Sequence, residues 1–375
     1  MPLQIAERGD TMKEQDMDGA QGIAIIAIVC GTVLDRISDA GFLQDGHIAR
    51  LLVMIQYAVV TCGYPCLFFL FGIKAVDSLR RSQSRWGFVK MTLFALAYPY
   101  LLWSLLQMGV HWFIAQQANH PFLPGELDRT LWAPVDQFWF LYALCICQLV
   151  AYVTVWKQSN KRRSMLSGIH RALLAVLMVV CGTLATRTSW GIVTMVLWGL
   201  MFFLAGMLLG PRCNVWMARA ARAPALLVAA VVVFAGTLGV GQSFGGYLNA
   251  WALPASFAGI VTTLLMAELF TGRWRARWLP TLGAAWIPIY LLHVLATELV
   301  WNGLLAAYFT SPVAHFVSGV VAGIVVPVAV YRVTKRLRIA GLAGFDLVDL
   351  EERAQAQQVA LAHYRARIGI DQSHG

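Results

Sequence analysis

The sequence predicts an all-α fold, a polytopic integral membrane helix bundle of about ten transmembrane helices. Of the 375 residues, 59% are hydrophobic and only 13% are charged, whereas soluble proteins carry about 25% charged residues. Apolar stretches long enough to cross a bilayer, which takes about 20 residues, recur along the chain. The connecting loops alternate between strongly basic and nearly uncharged. Together these features exclude a soluble globular domain.

The predicted spans can be placed in chain order. They lie at residues 20–36, 49–73, 88–115, 137–156, 172–187, 190–210, 224–241, 250–270, 282–308 and 313–332. Proline falls inside several spans, including Pro65, Pro99 and Pro327. Membrane helices tolerate proline when neighbouring helices satisfy the freed backbone groups. We therefore expect these segments to remain continuous spans.

The basic loops predict the orientation of the chain. Groups of Lys and Arg follow every second span, at residues 74–90, 157–171, 212–222, 273–277 and 332–338. By the positive-inside rule these loops are cytoplasmic, so we expect a multi-pass protein of the cell inner membrane with both termini in the cytoplasm. The net charge of +10 is spread over short loops rather than concentrated on one face. This distribution argues against a nucleic-acid partner.

Composition divides the chain into three regions. Residues 1–17 form a polar cytoplasmic segment, residues 18–335 the transmembrane domain, and residues 336–375 a cytoplasmic tail. Apolar residues recur among charges within 346–368, which is typical of an amphipathic helix on a membrane surface or against a partner helix. A disordered tail is the alternative. The polar outward loop at 116–136 is either a lip over a cavity or an ordered connector.

The first span carries a family pattern. Residues 18–36 read DGAQGIAIIAIVCGTVLDR. This stretch resembles the opening helix of the membrane acyltransferase 3 family, in which Asp-Gly-x-Arg-Gly-Ile-Ala precedes an apolar run ending in Gly-His. The matching positions are Asp18, Gly19, Gly22, Ile23, Ala24 and Gly31. The family's arginine falls on Gln21 and its histidine on Thr32.

Four further stretches are similar to the same family, in the family's order from about residue 18 to residue 335. They lie at 65–72, 99–103, 137–144 and 283–293. The Trp-Phe-Leu-Tyr-Ala-Leu at 139–144 looks like the branch that includes polysaccharide O-acetyltransferases. Any one aromatic run is weak support, because such runs are common in membrane helices. Five stretches in order make the resemblance specific.

The resemblance implies a membrane O-acyltransferase, most simply an O-acetyltransferase. Such an enzyme moves an acyl group from a cytoplasmic acyl-CoA-type donor, acetyl-CoA in the simplest case, to a sugar hydroxyl of an exopolysaccharide or other surface glycan. The expected partners are the glycan acceptor, acyl-CoA, membrane lipids and glycan-assembly proteins. We expect no metal, because the seven cysteines show no zinc-type spacing.

The candidate catalytic residues are three groups able to act as a base near the acceptor hydroxyl, together with the residue at the family's histidine position. They are His293, Asp35, Glu298 and Thr32. In the family the first-helix histidine is the natural base, and Thr32 cannot be one at neutral pH. Asp35 follows Thr32 on roughly the same helix face, so it is a possible substitute, as are the intramembrane groups His293 and Glu298. Alternatively, Asp35 is a solvated helix end and His293 a buried histidine bonded to a neighbouring helix.

The candidate substrate-binding residues come from three spans. They are Asp18, Gln21, Trp139, Tyr142 and Tyr290. Gln21 occupies the position of the family's arginine, which lies near the acyl donor. Trp139 and Tyr142 are three residues apart, so they share a helix face suited to stacking on a sugar or adenine. Core packing is the alternative for both aromatic residues.

Two other functions remain open. A catalytically inactive relative, acting as a glycan export or assembly subunit, is favoured by Gln21 and Thr32 at the family's arginine and histidine positions. A small-molecule transporter fits the number of spans. It is disfavoured by the scarcity of charged residues within most spans and by the absence of an evident repeat.

Overall fold

The computed structural model describes residues 14–41, 46–81, 85–117, 134, 136–155, 168–220 and 224–346, and the regular elements in these ranges are helical. In chain order the α-helices are α1 (Glu14–Asp39), α2 (His47–Arg81), α3 (Arg85–Thr92), α4 (Tyr98–Gln117), α5 (Trp139–Val155), α6 (Gly168–Arg187), α7 (Ile192–Ala220), α8 (Pro224–Ser243), α9 (Ala252–Glu268), α10 (Trp278–Ala284), α11 (Trp286–Ala306) and α12 (Pro312–Arg336). Short π-helices at Leu93–Ala97 and Leu269–Arg273 continue α3 into α4 and extend α9, and a 3₁₀ turn at Asp136–Phe138 leads into α5.

Nine of the ten predicted spans are confirmed among the described residues. Within the described ranges, nine helical stretches are long and apolar enough to cross a membrane. The shorter apolar helix Trp139–Thr154 occupies the remaining predicted position. Pro65 and Pro327 both lie inside continuous helices, as expected.

Side-chain pairs show which helix ends lie together. We call the side on which α1 begins the near face and the side on which it ends the far face. Lys74, late in α2, bonds to Asp18, early in α1. Arg36, at the end of α1, bonds to Glu298, in the second half of α11. Helices α1 and α2 therefore run in opposite directions and α1 and α11 in the same direction, as the alternating loops predict.

Helix α1 lies at the centre of the bundle. It packs against α2, α9, α10, α11 and α12, and residues Ala20, Ile25 and Val29 are fully buried. Gly283 of α10 makes the closest approach, because a Cβ there would lie 1.8 Å from the carbonyl oxygen of Asp18. Only a residue without a side chain fits at this contact, in keeping with the small residues found where membrane helices cross closely.

A second close crossing joins α2 to α7. A Cβ on Gly72 would lie 2.0 Å from the carbonyl oxygen of Phe203, and a Cβ on Gly206 would lie 2.0 Å from that of Phe69. The two glycines therefore let the backbones touch in both directions. This contact fixes the position of α2, which in turn packs along α1.

The outer surface of the bundle is apolar. Leu173 of α6 is 60% exposed, and Val228 and Val232 of α8 are 62% and 63% exposed. Large exposed aliphatic side chains on successive helices are suited to contact with lipid, and a water-facing helix would carry polar residues there. The chain is therefore a membrane helix bundle.

The segment after α12 folds back onto α4 at the near face. The hydroxyl of Tyr98 donates to the carbonyl oxygen of Leu342 at 2.6 Å, and the indole N–H of Trp103 donates to that of Ala343 at 3.0 Å. Phe345 stacks on Trp103 with ring centroids 5.6 Å apart. The first part of the predicted tail therefore packs on the bundle. The segments 1–13, 118–133 and 347–375 lie outside the described residues.

Candidate functional site

The far half of α1 brings two of the predicted catalytic residues together. Thr32 Oγ1 lies 3.3 Å from His293 Nε2, across the contact between α1 and α11. His293 is completely buried, whereas Thr32 is partly exposed. On the Nε2 side of the ring, Thr32 therefore covers the imidazole.

The contacts of His293 determine its tautomer. Nδ1 lies 2.7 Å from the carbonyl oxygen of Tyr290 and 3.1 Å from that of Ile289, in the preceding turn of α11. Carbonyl oxygens only accept hydrogen bonds, so Nδ1 carries the proton. Nε2 of the neutral ring then presents its lone pair to the hydroxyl of Thr32. A hydroxyl, a base and a group that orients the base form the arrangement needed to activate a hydroxyl.

The other two predicted catalytic residues face elsewhere. Asp35 accepts a hydrogen bond from the side chain of Gln56 in α2. Glu298 forms a two-point ion pair with Arg36, with Arg36 Nε 2.8 Å from Oε1 and Nη2 3.2 Å from Oε2. Asp35 and Thr32 thus contact different helices, although their spacing suggested a shared face. The described contacts give neither carboxylate a direct bond to His293.

The near end of α1 holds a second polar group of residues. Lys74 Nζ of α2 donates to Asp18 Oδ1 at 3.0 Å and to Gln21 Oε1 at 2.6 Å. We call these three residues the near cluster. Gln21 is only 1% exposed, and its buried Nε2 has no hydrogen-bond partner in the described structure. Because leaving a buried amide N–H unpaired is costly, this atom is suited to bind an acceptor group of a ligand.

Beside the near cluster, Thr271 Oγ1 donates to Asp16 Oδ1 at 2.5 Å. Thr271 lies in the π-helix that extends α9. This bond ties the first turns of α1 to a second neighbouring helix. The position of the near cluster is therefore fixed from both α2 and α9.

The predicted aromatic binding residues lie in the core and do not share one open surface. Trp139 packs against Tyr64 with ring centroids 4.9 Å apart, and Tyr142 packs against Tyr100 at 5.8 Å. Tyr290 is completely buried, and its hydroxyl donates to the carbonyl oxygen of Gln137. These contacts correspond to the core-packing alternative for Trp139 and Tyr142. Tyr290 also touches the candidate site, because its ring lies 5.9 Å from that of His293.

Helix α5 begins inside the bundle. Gln137, just before it, donates from its side chain to Gln107 Oε1 at 3.2 Å. Gln107 lies about 14 Å along α4 from Tyr98, which contacts the near-face tail segment. The 3₁₀ turn that precedes α5 therefore lies within the bundle, beside α4.

Sequence reasoning missed Lys74 as a site residue. Because Lys74 lies just after the second predicted span, it counts among the basic loop residues that predict the orientation of the chain. The signal was present, because Lys74 is the first cation after that span and a polar pair, Asp18 and Gln21, opens the preceding one. Pairing those ends in antiparallel helices would have suggested the contact.

The comparisons with known proteins agree with this architecture. The acyltransferase domain profile of the acyltransferase 3 family matches residues 14–332, which includes both polar ends of α1. The chain belongs to this family. As a family member it is a multi-pass membrane protein of the acyltransferase class. Searches of curated proteins and of solved structures each returned no match.

Proposed function

We propose that this family member is an O-acyltransferase that transfers an acetyl group from acetyl-CoA to a sugar hydroxyl of an exopolysaccharide or other surface glycan. The observation that supports this most directly is the contact between Thr32 Oγ1 and His293 Nε2 at 3.3 Å. The basic loops support a cytoplasmic near face, and we propose that the membrane is the inner membrane. The donor then binds from the near face and the acceptor from the far face.

The chemistry assigned to His293 is general base and then general acid catalysis. Nε2 takes the proton of an attacking hydroxyl and returns it to the departing thiolate of the donor. The carbonyl oxygens of Ile289 and Tyr290 hold Nδ1–H and stabilise the imidazolium formed between these steps. A positioned base of this kind contributes about 10²- to 10⁴-fold to a rate.

The near cluster fits the acidic part of an acyl-CoA donor. Lys74 supplies a cation for phosphate oxygens, a charge that Gln21 lacks at the position of the family's arginine. The unpaired Nε2 of Gln21 supplies a donor for one further acceptor atom. Asp18 orients Lys74 through its ion pair. Lys74 and Gln21 would therefore hold the donor, and Asp18 would position Lys74.

The far face offers groups suited to a sugar. Tyr57 and Tyr247 stack with ring centroids 5.3 Å apart, close to the bonded pair of Asp35 and Gln56. Burial and then the charges of Asp35 and Tyr57 raise the pKa of Tyr247, so its hydroxyl stays protonated and able to donate. Tyr57 is only 5% exposed, so the half-buried ring of Tyr247 is the one available to stack on a sugar, with the nearby carboxylate and amide bonding its hydroxyls. We assign acceptor binding to this region.

A second function is favoured by the packing between the two ends of α1. Ile25 and Val29 are fully buried and Ile28 is 1% exposed, so aliphatic side chains fill this part of the interface in the described conformation. An inactive family member that serves as a glycan export or assembly subunit needs no passage there. An active enzyme requires that this interface open during the reaction cycle.

The test compares surface glycans from cells with and without the gene. The O-acetyl content per sugar is measured by NMR after deletion and after restoring either the wild-type gene or H293A. We expect deletion to remove the acetyl groups, wild type to restore them and H293A to fail. Unchanged acetylation on deletion would reject the enzyme. Reduced polymer export at constant acetylation would establish the assembly function in its place.

A further inference from the structure

The hydroxyl of Thr32 is the group in contact with the buried base, and this points to a covalent role. We propose that Thr32 accepts the acyl group as an ester and passes it to the sugar in a second step. The proposal rests on the proposed function and specifies its reaction sequence. Its basis is the contact of Oγ1 with Nε2 and the burial around the ring.

Direct attack by a sugar hydroxyl would require a free approach to Nε2. His293 has no exposed surface, Nδ1 faces two backbone carbonyls and Nε2 faces Thr32. A sugar hydroxyl reaches Nε2 only by displacing the threonine side chain. Thr32, by contrast, is already within hydrogen-bond distance of the base and partly exposed. The residue positioned for activation is therefore Thr32 itself.

Thr32 can give up its other hydrogen bond at little cost. Its hydroxyl also lies 3.1 Å from the carbonyl oxygen of Ile28, one turn earlier in α1. A hydroxyl has a single proton, so it donates either to this carbonyl or to Nε2. The Ile28 carbonyl also accepts the helical bond from the backbone N–H of Thr32, so it stays paired when the hydroxyl turns to His293.

The reaction balances in two steps. In the first, Nε2 takes the proton from Oγ1, and Oγ1 attacks the thioester carbonyl of the donor. The new C–O bond forms, the C–S bond breaks, and the thiolate leaves with the proton from Nε2. In the second step the acylated side chain of Thr32 turns away from Nε2, and a sugar hydroxyl then gives its proton to Nε2 and attacks the acyl-threonine carbonyl. The sugar ester forms, and Thr32 leaves as the alcohol with the proton returned.

The location of Thr32 explains why a carrier is useful. Thr32 lies about 21 Å along α1 from Asp18 in the near cluster, in the half of the helix that approaches the far face. A covalent carrier there lets the donor leave before the acceptor binds. The two substrates then never need to occupy the packed interface at the same time.

The test looks for the intermediate when no acceptor is present. Purified full-length protein in detergent is incubated with isotopically labelled acetyl-CoA alone, and its peptides are analysed by mass spectrometry. We expect one acetyl group on the peptide that contains Thr32, released by alkaline hydroxylamine as an ester should be. T32S should still be labelled, T32A should not, and H293A should be labelled at least about 100-fold more slowly.

The matched control is T262A. Thr262 is a buried threonine of α9 whose hydroxyl donates to the carbonyl oxygen of Ala258 at 2.8 Å, much as Thr32 does to Ile28. T262A should be labelled like wild type, which separates loss of the hydroxyl at Thr32 from loss of a helical threonine. Label on another residue, or no label on a protein whose gene restores glycan acetylation, would overturn the acyl-threonine and leave the transferase intact. Loss of the transferase itself would appear in the gene-deletion test.

Discussion

The two ends of α1 differ in how their polar side chains are held. At the near end, Lys74 bonds to both Asp18 and Gln21, and Gln21 is almost completely buried. At the far end the polar residues are divided between helices, since Asp35 bonds to α2 while Thr32 and Arg36 bond to α11. The Arg36–Glu298 pair is also open to solvent, with side chains 45% and 37% exposed.

This difference fits the two tasks that we propose for the ends of the helix. The near cluster is a fixed set with one cation and one unpaired donor, which suits holding a charged ligand in place. The far end combines a buried base with more exposed groups, which suits proton transfer to a molecule arriving from outside. This division can be tested by substitutions at one end of α1. Each is compared with a substitution at the other end or elsewhere in the chain.

The largest effect is expected at the base. H293A should lower the acetyl-transfer rate by about 10²- to 10⁴-fold, because it removes the proton acceptor of the reaction. The measurement is transfer of labelled acetyl from acetyl-CoA to glycan purified from the deletion strain. T262A removes a hydroxyl that bonds within its own helix and should keep the wild-type rate. A rate for H293A within about threefold of wild type would exclude His293 as the base.

The close contact at Gly283, at the near end, should tolerate an added methyl group far less well than the contact at Gly319, at the far end. G283A places a methyl group against the Asp18 backbone and should cost about 3 kcal/mol or more of folding free energy, seen as a large drop in thermal unfolding temperature in detergent. G319A meets only side-chain atoms of Val33, the nearest at 3.0 Å, and should cost less. Equal destabilisation would show that the near end is not the more rigid one.

Removing the near-cluster cation should weaken donor binding. K74M keeps the length of the side chain but removes the cation proposed to bind the donor phosphates, a charge-assisted bond worth about 1.5–3 kcal/mol. We expect KM for acetyl-CoA to rise at least about tenfold with kcat nearly unchanged. The control is K90M, another near-face lysine that lies over the ring of Trp86. A similar rise in both variants would assign the effect to general surface charge.

The smallest effect is expected at the exposed ion pair. R36Q, E298Q and the double variant should give a coupling free energy of about 0–1 kcal/mol, because solvent screens half-exposed charges. The measurement is a double-mutant cycle on thermal unfolding, repeated at high salt. A coupling that is large and insensitive to salt would mean that the far end is as tightly held as the near end.

The architecture was predictable because local composition determines where each span lies. Each apolar stretch predicted one span, and the alternating basic loops predicted the antiparallel order that contacts such as Lys74–Asp18 show. The crossing glycines were harder to assign, because nothing local distinguishes Gly283 from Gly239, where a Cβ would meet no described atom within 4 Å. Close approach is a property of the assembled bundle.

The site was predictable only in part. His293 and Thr32 were both candidates, but their contact joins residues from the first and the ninth predicted spans. Helix rotation decides which side chains meet, and periodicity alone did not reveal that Asp35 bonds to α2. Helical spacing likewise did not reveal that Trp139 and Tyr142 pack against different helices. Rotation depends on the packing of all neighbours.

The most direct test of the account follows the acyl group across the bilayer. Protein is inserted into vesicles in one orientation, with labelled acetyl-CoA only on the side where α1 begins and purified unacetylated glycan only on the other. We expect labelled acetyl esters on the glycan with wild type and T262A, and none with H293A. Esters that form only when donor and glycan share one side would contradict a reaction running along α1 between the two faces.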